Sequence, residues 1–453
     1  MFKKIEIWIL YLVMLLGLPL TIGFGVLVRQ ELAGSTKIGR VSKTALFLAE
    51  IPMKIKRIYL DIDPLGVTDR FPLLEGFNGT PNSSESYLLL SRYDGDSEEG
   101  IVELVDLTNF NVLHTWNPDI DKFNKSVKKV DEFKYLNRDS NNSRYLLQQP
   151  ILLKDGGLVF HHRSPLRKID ACSNLIFQNK NDLFHHSIEI DNQGNIWVPS
   201  YIYPQSFPIK KVGRDIFAEK GYLDDGIVKL SHDGDILFEK SVSQIFIDNG
   251  LEYLIFSMGS ANFRLDPIHL NDIQPVDFDG KFWNKGDVFL SLRNQSMVLL
   301  YRPTTNKIIW KGTGPFFHQH DVDILNDHTI SIFNNNSKNF ENGDVVDGHN
   351  EVIIYDFKTN EYSSYLNNSL IENDVRTITE GRSEILPNGD LLVEETNYGR
   401  TLYFNSDGSL RWTNVNRANN GKIYKIKWSR ILYEEDDIQI VTNFLQSRIN
   451  CND

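Results

Sequence analysis

One pattern governs this chain: a short apolar strand, a polar turn of Asp, Asn or Gly, and a second apolar strand. It occurs as "PILLKDGGLVF" from Pro150, "HHSIEIDNQGNIWV" from His185, "HDVDILNDHTISIF" from His320 and "RSEILPNGDLLVEE" from Arg382. A longer-looped copy begins at His269, and a degenerate first copy, "SYLLLSRYDGD", at Ser86. A second hairpin type follows each of these, at Ile101, Pro165, Gly226, Met297, Val352 and Thr401. Asp-Gly and Asn-Gly turns between alternating strands are strong hairpin signals. Two hairpins make four strands, and six such pairs imply six blades. An open sheet of that many antiparallel strands would expose its edges, whereas radial closure hides them. The expected fold is all-β: a six-bladed β-propeller over residues 85–453, closed by a strand from the segment after Ser429. Trp116, Trp310 and Trp412 recur at the ends of outer hairpins and read as packing between blades.

The region before the repeats follows other rules. "IEIWILYLVMLLGLPLTIGFGVLV" (Ile5 to Val28) has Glu6 as its only charge. A hydrocarbon core of about 30 Å needs about 20 apolar helical residues, so this stretch predicts a transmembrane helix. Lys3 and Lys4 precede it and favour a cytoplasmic N-terminus. Residues 1–29 are therefore expected to be an uncleaved anchor, with the rest of the chain in the periplasm or outside the cell. A removed signal peptide, with "LAGS" near Ala33 as its cleavage site, is the alternative. Residues 30–84 lack the hairpin pattern; helical spacing from Val41 predicts a helical stalk. Two cysteines, Cys172 and Cys451, make no disulfide framework. A single bridge between them is open, but two thiols without a role are the simpler expectation.

The net charge of −12 argues against a nucleic-acid partner, which needs a basic face. It leaves room for a local cationic pocket. Aligning the inner hairpins on their turns places His186, His320 and Gly381 at one repeat position, and His269 fills it in the long-looped copy. Residues that precede innermost strands lie near the propeller axis, so histidines far apart in sequence can meet there. The ends of the second inner strands add Arg92, His161, His162, Arg163, Arg293, Asn294, Asn334, Asn335 and Lys338. Arg presents a planar fork to tetrahedral anions, and His moves a proton near neutral pH. The set predicts a site for a small oxyanion. "HQH" with His269 and His186 could ligate a metal, but no metal-specific spacing is present; neither metal nor cofactor is expected.

"DPIHLNDI", "SLRNQSMVLLY", "IIWKGTG" and "FFHQHDVDIL…SIFNNN" follow one another in an order and spacing that resembles the bacterial arylsulfotransferase (ASST) family. "FHHSIEIDNQGNIWVPS" and "GIVKLSHDGDILFEK" are similar to its earlier blades. The likeness covers roughly Val102 to Val415. It implies a periplasmic six-bladed propeller that moves a sulfuryl group from an aryl sulfate ester to a phenol, without a nucleotide sulfate donor. It implies that His269, His320 and Arg293 meet the sulfuryl group, joined by His186 as a catalytic candidate. Lys338 falls near a family arginine. Asn334, Asn335, Asn271, His318, Arg92 and His162 are the further residues expected to bind substrate, a small anionic aromatic. The family's best-studied members carry the sulfuryl group on a histidine in a late blade. Here no histidine follows His349, and the matching segment offers Glu394, Glu395, Asn397 and Arg400. Three routes stay open: another histidine (His186 or His320) is the carrier, transfer is direct, or the propeller binds a ligand or partner without turnover.

Overall fold

The computed structural model describes residues 6–32, 39–59, 65–127, 140–162, 165–179, 183–206, 222–256, 265–340, 343–447 and 451. The N-terminal helices and the propeller belong to two separate compact units, and the propeller begins at Leu65. In the first unit, helix α1 (Ile7–Leu32) contains a span, Ile7–Gln30, long and apolar enough to cross a membrane. Such a helix suits an anchor or a signal sequence equally. Helix α2 (Arg40–Tyr59) lies where the apolar spacing predicts it. The cleavage motif after Ala33 lies outside the described residues.

The second unit is a six-bladed β-propeller built from antiparallel sheets of at least four strands each. Blade 2 is a simple case: Gln148–Leu152, Leu158–His161, Arg167–Ile169 and Leu175–Gln178 pair in sequence order. Blades 3 to 6 have inner strands Glu189–Ile190, Leu270–Pro275, Val322–Ile324 and Arg382–Ile385. Each predicted outer hairpin forms the outer half of its blade, for example Asp225–Leu230 with Ile236–Ser241 in blade 3. In blade 5 a small hairpin, Ser337–Phe340 with Gly343–Val346, is inserted between the second and third strands.

Ring closure explains the degenerate first copy. Tyr87–Asp94 is the second strand of blade 1, and its innermost partner is Arg430–Leu432 from the far end of the chain. The stalk assignment shifts for a related reason. Gly76–Gly79 is a fifth strand on blade 6, with Gly79 opposite Trp412. "GFNG" carries neither alternation nor β-branched residues, so nothing in it signals a strand. Gly79 sits at φ +124°, and a Cβ there would lie 2.3 Å from the Arg411 carbonyl oxygen, so the edge accepts only glycine.

The alternating strands bury both faces because each blade stacks on the next. Val276, Phe289, Val298, Ile330, Ile332 and Ile353 form one such inter-blade core across blades 4 and 5. The tryptophans finish these seams. Trp412 is fully buried, stacks on Tyr403 at 5.3 Å and donates from Nε1 to Asn82 Oδ1 (3.0 Å). Trp310 lies 4.8 Å from Tyr355 and Phe357 of the neighbouring blade. Trp116 donates to the Gly156 carbonyl in blade 2 and stacks on Phe444 of the C-terminal helix (Glu435–Gln446).

Cys172 and Cys451 are bonded, with Cα atoms 5.2 Å apart across a sequence separation of 279, which corrects the expectation of two idle thiols. No local motif signals such a pair; only the docking of the C-terminal helix on blades 1 and 2 brings the sulfurs together. The bond lies beyond the helix that follows the ring-closing strand. Cys172→Ser with Cys451→Ser is therefore expected to cost about 2–5 kcal/mol of propeller stability. Chemical denaturation of the full-length pair against wild type measures it.

Candidate functional site

Near the start of each innermost strand lies a residue in the left-handed region: Gln149, His186, His269, His318, Glu380 and Trp428, one per blade. For a residue with a Cβ this conformation costs about 1–2 kcal/mol. Its repetition turns the chain sharply at the same end of every blade and gathers those side chains around the axis.

Three of the predicted histidines meet there. The His186 ring centroid is 4.9 Å from that of His269 and 6.3 Å from that of His320. They come from blades 3, 4 and 5, more than fifty positions apart in each case, so radial convergence is a fact of this fold. Arg293 joins them. Its backbone N–H donates to the His269 carbonyl (3.0 Å), and its charge helps hold the pKa values of His320 and His318 down.

The three imidazoles differ chemically. His320 Nδ1 lies 2.6 Å from Asn335 Oδ1, and its Nε2 accepts the backbone N–H of Glu380 (2.9 Å). It is thus the neutral Nδ1–H tautomer with both nitrogens engaged. Burial, then the nearby Arg293 charge, pushes its pKa to about 3. His186 is held neutral too: burial first, then His269 and His185, takes its pKa well below the usual value. His269 is about one-quarter exposed, and its Nδ1 contacts Asp266 Oδ2 at 2.6 Å. The carboxylate fixes the proton on Nδ1 and leaves Nε2 as the lone-pair nitrogen.

The cations expected to form a cradle are each paired with a carboxylate. Arg293 Nη2 pairs with Asp344 Oδ2 (2.9 Å) on the inserted hairpin. Lys338 Nζ pairs with Asp347 and lies 5.1 Å over the Phe317 ring. Arg92 is held by Glu103 and Asp94. Other predicted residues do scaffold work. Asn334 Oδ1 accepts from the Phe317 and Asn336 N–H groups, and its Nδ2 donates to Glu351. Asn335 orients His320 and donates to the Thr377 and Glu380 carbonyls. Asn271 ties blade 4 to the Gln319 carbonyl. The His318 backbone N–H donates to Ser296 Oγ (3.3 Å), and burial followed by the Arg293 charge lowers its pKa. His162 lies edge-on to Tyr145 at 5.3 Å. Arg163 lies outside the described residues.

In the late blade, Glu394 accepts the backbone N–H groups of Trp428 and Ser429, and Glu395 is paired with Arg400 and Arg70. Asn397 Oδ1 accepts from the Ile378 and Thr379 N–H groups and so braces the segment that presents Glu380 to His320. Sequence reasoning missed Asp225, Asp266, His185, Lys427 and Glu380. Lys427, almost fully buried beside Trp428, pairs with Glu380; burial opposes ionisation, yet this lysine pulls the Glu380 carboxyl down to about 2. Asp266 had a signal, three residues before His269 in "DPIH". Lys427 and Asp225 had none, since they reach the site only through ring closure and blade stacking. Among the described residues no three His, Cys, Asp or Glu side chains are placed to hold a metal ion.

Several solved structures are similar to the chain at low identity. A Bacteroides caccae protein of unknown function shares 12% identity over 76% of this chain and 98% of its own (TM-score 0.45). Streptogramin B lyase shares 10% over 78% and 96% (TM-score 0.37). The Neurospora crassa Pan2 WD40 domain shares 9% over 76% and 85% (TM-score 0.37). No curated protein matches the chain. The family model described as Arylsulfotransferase (ASST) matches residues 149–417, which run from the innermost strand of blade 2 to the end of the outer hairpin of blade 6. With that match over more than half its length, the chain belongs to the arylsulfotransferase (ASST) family.

Proposed function

We propose that this protein moves a sulfuryl group from an aryl sulfate ester to a phenol, without a nucleotide donor, at the axial cluster of His186, His269, His320 and Arg293. The observation that carries the reading is the meeting of three imidazoles from three blades beside one arginine. His269, oriented by Asp266, is the sulfuryl carrier: its Nε2 attacks sulfur, the S–O bond to the aryl oxygen breaks, and the aryloxide departs to be protonated by solvent. The acceptor phenol then attacks the same sulfur, the S–N bond breaks and His269 is regenerated. His320 positions the group rather than reacting, because both its nitrogens are engaged. Arg293 stabilises charge on the sulfuryl oxygens once the anion displaces Asp344 from it. Asp344→Asn is accordingly expected to tighten donor binding about tenfold, which a titration with a non-reacting aryl sulfonate checks.

Purified full-length protein given 4-nitrophenyl sulfate should release nitrophenolate faster when a second phenol is present, with that phenol recovered as its sulfate. Folded protein that yields no sulfated acceptor at any pH would remove the reading. A second reading has its own support: each cation of the cluster is already paired, and the late-blade residues are spent on bracing. It makes the propeller a binder of anionic aromatics, and it predicts saturable binding without turnover. The apolar span of α1 and the Cys172–Cys451 bond, which needs an oxidising compartment, support an anchored protein with its propeller outside the cytoplasm.

A further inference from the structure

We propose that Asp225 and His185 stand behind His186 as a proton relay, and that Asp225 is the positioning residue that decides which nitrogen of His186 carries the lone pair. The proposal rests on the sulfuryl-transfer reading for its place in the reaction, though its geometry is independent of that reading.

Asp225 is fully buried at the start of the third strand of blade 3. Its Oδ2 accepts the backbone N–H of His269 (2.9 Å). Its Oδ1 lies 3.2 Å from His185 Nε2, an ion-pair approach, and among the described residues neither of these two atoms has a hydrogen bond, so each is the other's nearest polar partner. His185 lies almost flat on Tyr201, with centroids 4.2 Å apart, and its Nδ1 is 2.8 Å from His186 Nδ1. Two ring nitrogens at that distance must be one donor and one acceptor. An ionised carboxylate only accepts, so the proton of neutral His185 sits on Nε2 toward Asp225. His185 Nδ1 must then accept, and His186 Nδ1–H donates to it. His186 Nε2 is left with its lone pair, beside His269. One carboxylate thus holds the His269 backbone and sets the tautomer of His186.

The second half-reaction needs a base. As the acceptor phenol oxygen bonds to sulfur and the S–N bond to His269 breaks, the phenolic proton passes to His186 Nε2. The His186 Nδ1 proton moves to His185 Nδ1, and the His185 Nε2 proton to Asp225 Oδ1. One proton enters, one ends on the carboxylate, and both rings finish neutral. Burial among His269, His320 and Lys427 makes an imidazolium at His186 costly, and the relay avoids forming one that lasts. It also gives the site a second working imidazole where the chain has no late-blade histidine.

Asp225→Asn tests this in the full-length protein. The amide oxygen still accepts from His269, while the amide NH2 donates to His185 Nε2. His185 must then carry its proton on Nδ1, and His186 on Nε2. The ¹⁵N spectrum of histidine-labelled protein should show His186 as the Nδ1–H tautomer in wild type and as Nε2–H in the variant. Turnover (kcat) should fall about 100-fold or more, with the donor KM nearly unchanged, and Asp225→Glu should recover part of the loss. A His186 tautomer that is Nε2–H in wild type, or unchanged in the variant, overturns the relay. If Asp225→Asn does not fold, His185→Phe keeps the ring on Tyr201 and removes both nitrogens; undiminished kcat there also overturns it. Wild type without turnover removes the transfer reading alone, since the tautomer measurement stands on its own.

Discussion

Replacing His269 with alanine is expected to lower sulfuryl transfer by about a thousandfold or more, because it removes the atom that takes the group from the donor. The same protein, quenched with donor but no acceptor, should lose the sulfuryl adduct on the peptide that carries residue 269. Two comparisons separate chemistry from scaffolding. Asp266→Asn keeps the shape at 2.6 Å from His269 Nδ1 but removes the charge that orients the ring, so it should lower kcat more than it raises KM. His320→Ala deletes a ring bonded on both sides, to Asn335 and to the Glu380 backbone, and loosens the segment that pairs Glu380 with Lys427. It should lower stability as well as rate. A His269→Ala protein with wild-type transfer would move the carrier to another residue.

Arg382→Met is expected to cost about 3–5 kcal/mol near neutral pH and far less near pH 4. Arg382 is almost fully buried, within 3.7 Å of Asp321 and 3.1 Å of Glu384, and it lines a cavity of about 600 Å³ with Glu189, Asp323 and Arg430. Burial raises the pKa of Asp321 to about 6, and raises Asp323 and Glu384 too; in each case the Arg382 charge opposes the rise. The sign follows. A carboxyl whose folded pKa lies above its unfolded value contributes stability that is full below the unfolded pKa and is lost as pH rises through the folded one. Removing the arginine lifts those folded values further and leaves the unfolded ones unchanged, so the variant falls below wild type as pH rises through the wild-type folded value of about 6. Urea melts of both proteins at pH 4.5, 6 and 8 measure the widening gap. A gap independent of pH would mean that Arg382 acts by packing alone.

The blades were legible because their information is local. Alternation along "DILFEK" or "IIWKG" and an Asp or Gly turn specify a hairpin without reference to the rest of the chain. One propeller strand escaped that logic. Gly76–Gly79 is short and unpatterned and pairs with a segment more than three hundred residues away, whereas the closing strand Arg430–Leu432 lies in the segment after Ser429 where ring closure required one. The Cys172–Cys451 bond escaped for the same reason.

The meeting of histidines could be read from the repeat, but not their register: the shared left-handed position falls at His186, His269, His318 and Glu380, two residues before His320 and one before Gly381. Nor could their chemistry. Whether an imidazole can react depends on what meets its second nitrogen. For His320 that is a backbone N–H sixty residues on, for His269 an aspartate three residues back, and for His186 a neighbouring ring backed by Asp225. The sequence alone therefore determined the number of blades, the apolar N-terminal helix and the ring of imidazoles, because periodicity and side-chain type are properties of short windows. Only the tertiary structure decided which imidazole keeps a free lone pair and which cations are already neutralised, because hydrogen bonds and ion pairs form between atoms a few ångströms apart, and the blades that bring those atoms together are remote along the chain.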